Sequence, residues 1–252
     1  MSLDLNSILK DWPHESGAIK VRKIVGLDGR EKLQLRIDLG VLQMEIVGRP
    51  DGQHPHDCES LLAYHQARAE RAERSGESFE LNNEECAELQ QEGIQYYHRY
   101  LSLFQINEFE GVIRDTQRNL DLFTFVDEHT DRDEIVWNFQ QFRPYVLMMN
   151  TRAKASILLG DGRFAEAMKE IERGRDVITE FFAQSSVPEM AQKSSELAFL
   201  EEWLEEVSSK RPLSKLEVME REMERAIANE LYERAAELRD AINKIKSDEP
   251  AV

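Results

Sequence analysis

The sequence predicts a mainly α fold: antiparallel helical pairs, with a small β-meander before them and a separate helical hairpin after them. Three observations carry this. From residue 57 onward, apolar residues recur at spacings of three and four almost throughout. Between residues 19 and 47 the period drops to two, and turn residues separate the alternating runs. Helical runs of roughly 15–25 residues are joined by turns of about 2–5, which suits antiparallel neighbours. The expected division is 1–56 for the N-terminal segment with the meander, 57–211 for the helical domain, 212–247 for the hairpin and 248–252 for a tail.

Residues 1–12 suit a short amphipathic helix around Leu3, Leu5, Ile8, Leu9 and Trp12, stopped by Pro13. Val21, Leu33, Leu35, Ile37 and Leu39 follow the strand period, with Asp28-Gly29 as a hairpin turn. A third strand puts Leu42, Met44 and Ile46 on one face. Three short strands are marginal alone, so the meander should pack on the helices that follow.

Helices are then expected over about 57–75 and from Asn82-Asn83, the second with Leu89, Ile94, Tyr97, Tyr100, Leu101 and Phe104 on its apolar face. After a break at 105–107, the next helix carries Phe109, Val112, Ile113, Leu120, Phe123 and Val126. DEHTDRDE, 127–134, is expected to be a solvated corner, and Pro144 to kink or split the helix after it. Gly160-Asp161-Gly162 is a turn, followed by helices from Phe164 to Phe182 and from about Pro188 to Val207. INEFEGVIRD and GDGRFAEAMKEI share a short turn followed closely by an aromatic residue. The second resembles the turn and second helix of a tetratricopeptide repeat, with Phe164 and Ala167 at the aromatic and alanine positions. The two turns lie 55 residues apart, so this is a TPR-like arrangement and no regular array. Such pairs form concave peptide-binding surfaces, or simply bury a core.

The net charge is −17, from 32 Lys+Arg against 49 Asp+Glu. Residues 1–56 are balanced, with 8 basic and 8 acidic side chains, whereas 57–212 carry 17 and 31. That surface repels phosphate backbones and anionic membranes, so no direct nucleic-acid contact is expected, whereas a basic patch on a partner protein would suit it. Cys58 and Cys86 show no pairing signature. With no membrane-length apolar run and no signal-peptide layout at MSLDLNSILKDW, the expected location is the cytoplasm.

In the C-terminal hairpin, Ser214 with Glu217 makes a capping box. Leu216, Met219, Met223 and Ile227 then form one stripe, kept shallow by Ala226. After a turn at Asn229-Glu230, Tyr232, Ala235, Leu238, Ile242 and Ile245 form the facing stripe, and Ala235-Ala236 permits close approach. A unit of about 35 residues is too small for a sufficient core of its own, and no disulfide or metal motif staples it. Its apolar stripe needs the body of this protein, a second copy or another protein.

MEREMERAIANELYERAAELRDAI resembles the UVR motif, the helical hairpin at the C-terminus of UvrB that also occurs in UvrC, in ClpC-type chaperone ATPases and in their adaptors. Met223, Tyr232, Glu233, Ala235, Ala236, Leu238, Arg239, Asp240 and Ile242 stand in the motif's places, with Tyr232 where the family usually has Phe. The resemblance covers about 35 of 252 residues. It implies binding to another such hairpin or to a partner protein, through Leu216, Met219, Met223, Ile227, Tyr232, Ala235, Leu238, Arg239, Asp240 and Ile242. The whole chain resembles bacterial proteins that carry this motif.

No catalytic, cofactor-binding or metal residue is assigned. GxxxxGK[ST], GxGxxG after a strand, HExxH and GxSxG are all absent. His54, His56, Asp57 and Cys58 are ligand types, but four within five residues rarely close one tetrahedron, so a polar loop is expected. DEHTDRDE lacks calcium-loop spacing, and the aromatic stretch Tyr96, Tyr97, Tyr100, Phe104 and Phe109 suits a core. Arg22, Lys23, Lys32 and Arg36 form the one candidate anion patch, nearly cancelled by nearby acids. The expected function is a non-enzymatic adaptor or scaffold, with the hairpin binding a partner or itself. The competing readings are a DNA-repair accessory, supported by the motif's name alone, and an enzyme using carboxylates in a helical cavity.

Overall fold

The computed structural model describes residues 4–212 and 215–248. The chain divides into two compact units, Met1–Glu205 and Glu206–Val252.

The first unit opens with α1 (Asn6–Leu9), a single turn where a longer helix reaching Trp12 was expected. Leu3, part of that expected helix, lies outside the described residues. Strands β1 (Lys20–Val25), β2 (Glu31–Ile37) and β3 (Gly40–Glu45) form an antiparallel sheet in the order β1-β2-β3. Leu33 pairs with Met44 and Leu35 with Leu42. Leu33, Leu35 and Met44 are buried. Leu39, expected on that face, is 89% exposed, because the chain reverses at Asp38-Leu39 to pair Ile37 with Gly40. The lysines of the candidate anion patch are paired with acids, in keeping with the expected cancellation. Lys23 bonds Glu108, and Lys32 pairs with Asp28 and Glu45. The Arg22 guanidinium lies over the Trp12 ring, and Arg36 donates to the Trp12 carbonyl.

The helices follow as α2 (Leu61–Ser75), α3 (Asn83–Gln105), α4 (Phe109–Glu128), α5 (Asp133–Gln140), α6 (Arg143–Gly160), α7 (Phe164–Gln184) and α8 (Ser195–Lys210). Ser60 caps α2, whose expected start at 57 is instead a 3-10 turn, Pro55–Asp57. Asn82 and Glu85 cap α3 reciprocally. Pro144 sits in the first turn of α6, where its missing N–H costs nothing, so it splits two helices. The expected helix from Pro188 begins as a 3-10 segment, Pro188–Lys193. Ser194 then accepts from the Leu197 N–H and starts α8 anew.

Helices α3 and α4 pack together, as do α4 with α6 and α6 with α7. One core cluster joins Leu61, Leu81, Leu89, Leu122, Phe123 and Val146. α6 is buried on two sides, and Gly174 of α7 sits where any Cβ would run into the Thr151 side chain. The corner at 127–134 is solvated at Asp127, Glu128, Asp131, Asp133 and Glu134, but its middle is tied down. Asp127 and Glu128 belong to α4, His129 stacks on Phe125 at 4.2 Å, and the Leu81 N–H donates to the His129 carbonyl.

Buried charges fasten the sheet to the helices. Arg99 donates twice to Asp115, at 2.6 and 2.8 Å, and to the carbonyls of Glu45, the last residue of β3, and Gly48 beyond it. Glu92, fully buried, accepts from Arg49 and Arg118 and from the first N–H groups of α2, Leu61 and Leu62. Arg118 stacks on Tyr96 at 4.1 Å, and burial pushes the Tyr96 phenol up to about 12. Among the described residues, Glu92 and Asp115 are the buried carboxylates, and their oxygens accept from protein donors.

The second unit holds the end of α8, then α9 (Lys215–Ala228) and α10 (Tyr232–Asp248), which pack on each other. No helix among the described residues is long and apolar enough to cross a membrane.

Candidate functional site

The hairpin is built from strong helix formers, Glu, Arg, Met, Leu and Ala, so both helices suit their intrinsic propensities. The face between them is made of small and branched side chains. Ala226, Ala235, Leu238 and Ile242 are buried, and Met219 and Met223 are half-buried. Met219, Met223 and Ala226 follow spacings of four and three, and Ala235, Leu238 and Ile242 follow three and four. Two alanines across the contact allow the backbones close together.

The expected stripe is corrected at both ends of the turn. Ile227 is 51% exposed and Tyr232 is 66% exposed. The inward position of α9 is Ala226, one residue earlier, so Ile227 turns outward by about 100°. Leu231, which the sequence reading passed over, is 57% exposed beside them, and Val218 is exposed on α9. The one available signal for Leu231 was an apolar residue among polar turn neighbours in ANELYE. Arg239 and Asp240 are exposed and pair with each other at 3.0 Å, a surface contact of little energetic weight. Ser214 and the side chains of Leu216, Glu217 and Ile245 lie outside what is described, so the capping box and the outermost stripe residues stay there too.

The turn itself has a defined geometry. The Glu230 N–H donates to the Ile227 carbonyl at 3.0 Å, and the Leu231 N–H to the Ala226 carbonyl at 2.8 Å. Glu230 has φ of 56°, a left-handed conformation that costs a side-chain-bearing residue roughly 1–2 kcal/mol. The same pair of bonds closes α3, from Asn107 to Phe104 and from Glu108 to Leu103, with Asn107 at φ 60°. It also closes α6, from Gly162 to Leu159 and from Arg163 to Leu158, with Gly162 at φ 74°. In each case an aromatic residue follows the left-handed residue by two positions and starts the next helix: Phe109, Phe164 and Tyr232. The likeness between the turns at 106–115 and 160–171 therefore extends to the hairpin. Phe109 and Phe164 are half-buried, and Phe109 packs on Phe104 at 5.4 Å. Tyr232 has no such cover.

Among the described residues, HPHDC joins no group of three or more His, Cys, Asp or Glu side chains placed to hold a metal ion. His56 stacks on Tyr64 at 4.0 Å, and the Cys58 thiol lies against the His56 carbonyl. Cys58 and Cys86 are both free thiols.

Residues 214–248 match the family described as UVR, the UvrB/uvrC motif. The match spans α9, α10 and the turn between them, so the chain carries a UVR hairpin at its C-terminal end. No curated protein and no solved structure matches the chain.

Proposed function

We propose that this protein is a non-enzymatic adaptor whose UVR hairpin associates with a partner protein or with a second copy. One observation carries the reading: Ile227, Leu231 and Tyr232 form an exposed apolar group at the hairpin turn, in the same turn geometry whose aromatic residue is partly covered in α3/α4 and α6/α7. Isolated exposed apolar side chains are ordinary, but three within six residues of one turn, on a hairpin too small to fold well alone, mark an association surface. The net charge of −17 argues against contact with a nucleic-acid backbone, so any role beside UvrB- or UvrC-related repair proteins runs through protein contacts.

The test uses the full chain with Ile227→Ser and Tyr232→Ser together. Both side chains are exposed, so the helical circular dichroism should be unchanged. Light scattering over a concentration series, and co-purification from the native lysate, should then show the loss of a dimer or of a specific partner. Association that survives the double substitution overturns the reading. Leu238→Ala is the weaker probe, because Leu238 is buried between α9 and α10 and its loss would unfold the contact surface along with the contact.

A further inference from the structure

The helical body contains a groove of about 580 Å³ whose lining belongs entirely to the first unit. Its floor is apolar, with Leu122 and Phe123 of α4 and Val146 of α6. Gly93 makes the floor possible: α3 and α4 approach so closely that a Cβ there would lie 3.1 Å from the Leu122 methyl. One wall is the outer face of α3, where Ile94 and Tyr97 are 41% and 37% exposed. The other is the α5–α6 junction, where Phe142 is 52% exposed because Pro144 forces the chain to restart there. Tyr97 and Tyr145 face each other at 6.3 Å. The volume is within the usual range for a binding cleft, and suits two or three side chains.

The polar groups along it have one character. Glu196, from the first turn of α8, is the sole carboxylate in the lining, and no lysine or arginine lies among the lining residues. Burial lowers the pKa of His98, which disfavours its cationic form. Of the guanidiniums close by, Arg118 donates to Asn119 of the lining and is neutralised by Glu92, and Arg152 lies over the rings of Phe104 and Phe199 at 4.4 and 4.6 Å. The carboxamides of Gln90 and Asn138 reach the rim without a side-chain hydrogen bond among the described residues. Each offers a donor and an acceptor, the complement of a peptide unit.

We propose that this groove binds a linear peptide segment of a partner protein, with an apolar or aromatic anchor next to a lysine or arginine. The anchor fills the space between Tyr97 and Phe142, the cation meets Glu196, and the carboxamides bond the peptide backbone. The surrounding segment, 57–212, carries 31 acidic against 17 basic side chains, which adds long-range attraction for a basic segment. This goes beyond the hairpin reading, since no residue of the hairpin takes part.

The experiment pans a random dodecapeptide phage library against the full chain, then measures the enriched peptides by fluorescence polarisation. The expected peptides share an apolar or aromatic residue with a nearby Lys or Arg. Phe142→Asp should weaken them about tenfold or more, and Glu196→Lys should select against basic peptides, whereas Ile227→Ser with Tyr232→Ser should leave them unchanged. Glu196 is half-buried and accepts from the Ser194 hydroxyl at 2.9 Å, so Glu196→Gln, which keeps an acceptor there and removes the charge, should also weaken basic peptides and keeps the test decisive if Phe142→Asp or Glu196→Lys impairs folding. No enrichment, enrichment without basic residues, or binding insensitive to the groove variants overturns the proposal. So does a concentration-dependent dimer that Phe142→Asp abolishes, which would give the groove to a second copy. Hairpin-dependent association is measured separately, so either reading can fail alone.

Discussion

Phe109 and Tyr232 occupy the same place in the same kind of turn, but the first is packed against Phe104 and the second is largely in solvent. The local rules are shared: a left-handed residue, two backbone bonds that close the preceding helix, and an aromatic residue opening the next one. What differs is the company. In the body, α4 packs against α6 and α6 against α7, so each pair covers the next. The unit that begins at Glu206 holds two whole helices and the end of a third. Its inner face is alanine-rich and thin, whereas the body surrounds buried ion pairs with aromatic rings. One turn design thus yields a finished core in one region and an unfinished surface in the other.

The contrast can be broken most sharply at the buried charges. Asp115→Ala leaves Arg99 without its counter-charge in a fully buried place, and about 3–5 kcal/mol of stability should be lost in urea unfolding of the full chain. A loss under 1 kcal/mol would mean that water reaches the site. In the hairpin, Leu238→Ala should cost about 2–3 kcal/mol locally. Hydrogen exchange should then speed up in α9 and α10 alone, and exchange that also rises in α3 or α4 would show that the two units unfold as one. Gly174→Ala should cost about 1–3 kcal/mol by driving a methyl into Thr151. The double variant with Thr151→Ala should recover part of it, and no recovery would place the strain elsewhere.

A smaller effect is expected from pH. His65 is buried, and burial lowers its pKa below the usual value of about 6.5. The unfolded chain therefore takes up a proton first as pH falls. The stability that neutral His65 contributes is fully present above about pH 6.5 and is lost between there and its lower folded pKa. Chemical denaturation at pH 7.5 and pH 5 should show the loss, and His65→Leu should flatten it, with His98 left to supply a remainder. Smallest of all, Ile227→Ser should change stability by less than about 0.5 kcal/mol. A larger change in thermal unfolding would show that this exposed residue supports the fold.

Much of the architecture was legible because its signals are local. Ser60, Asn82 and Gly76 end or begin helices through bonds to residues within five positions, and the meander's alternation is a property of successive residues. The failures have equally specific causes. Ser194 lay inside an expected helix but is the cap that starts one, because its hydroxyl competes for backbone N–H groups. Leu39 fits the strand period, but it sits in a two-residue turn with no glycine or asparagine to betray it. Tyr97 and Ile94 belong to an apolar stripe wider than the contact available to it, so they line the groove where core was expected. In the hairpin, the existence, span and motif were readable, and the inward face was misjudged by one residue.

The sequence by itself determined the order of the elements, the acidic surface, the UVR hairpin and the turn shared with the body, since each follows from residues close together in the chain. Tertiary structure alone decided which apolar residues are covered. It also decided that Arg99 meets Asp115 and the carbonyl of Glu45, partners 16 and 54 positions away. The reason is physical: helical period gives the direction of a side chain, but burial depends on whether another element arrives to fill that direction, and this is set by packing across the whole unit.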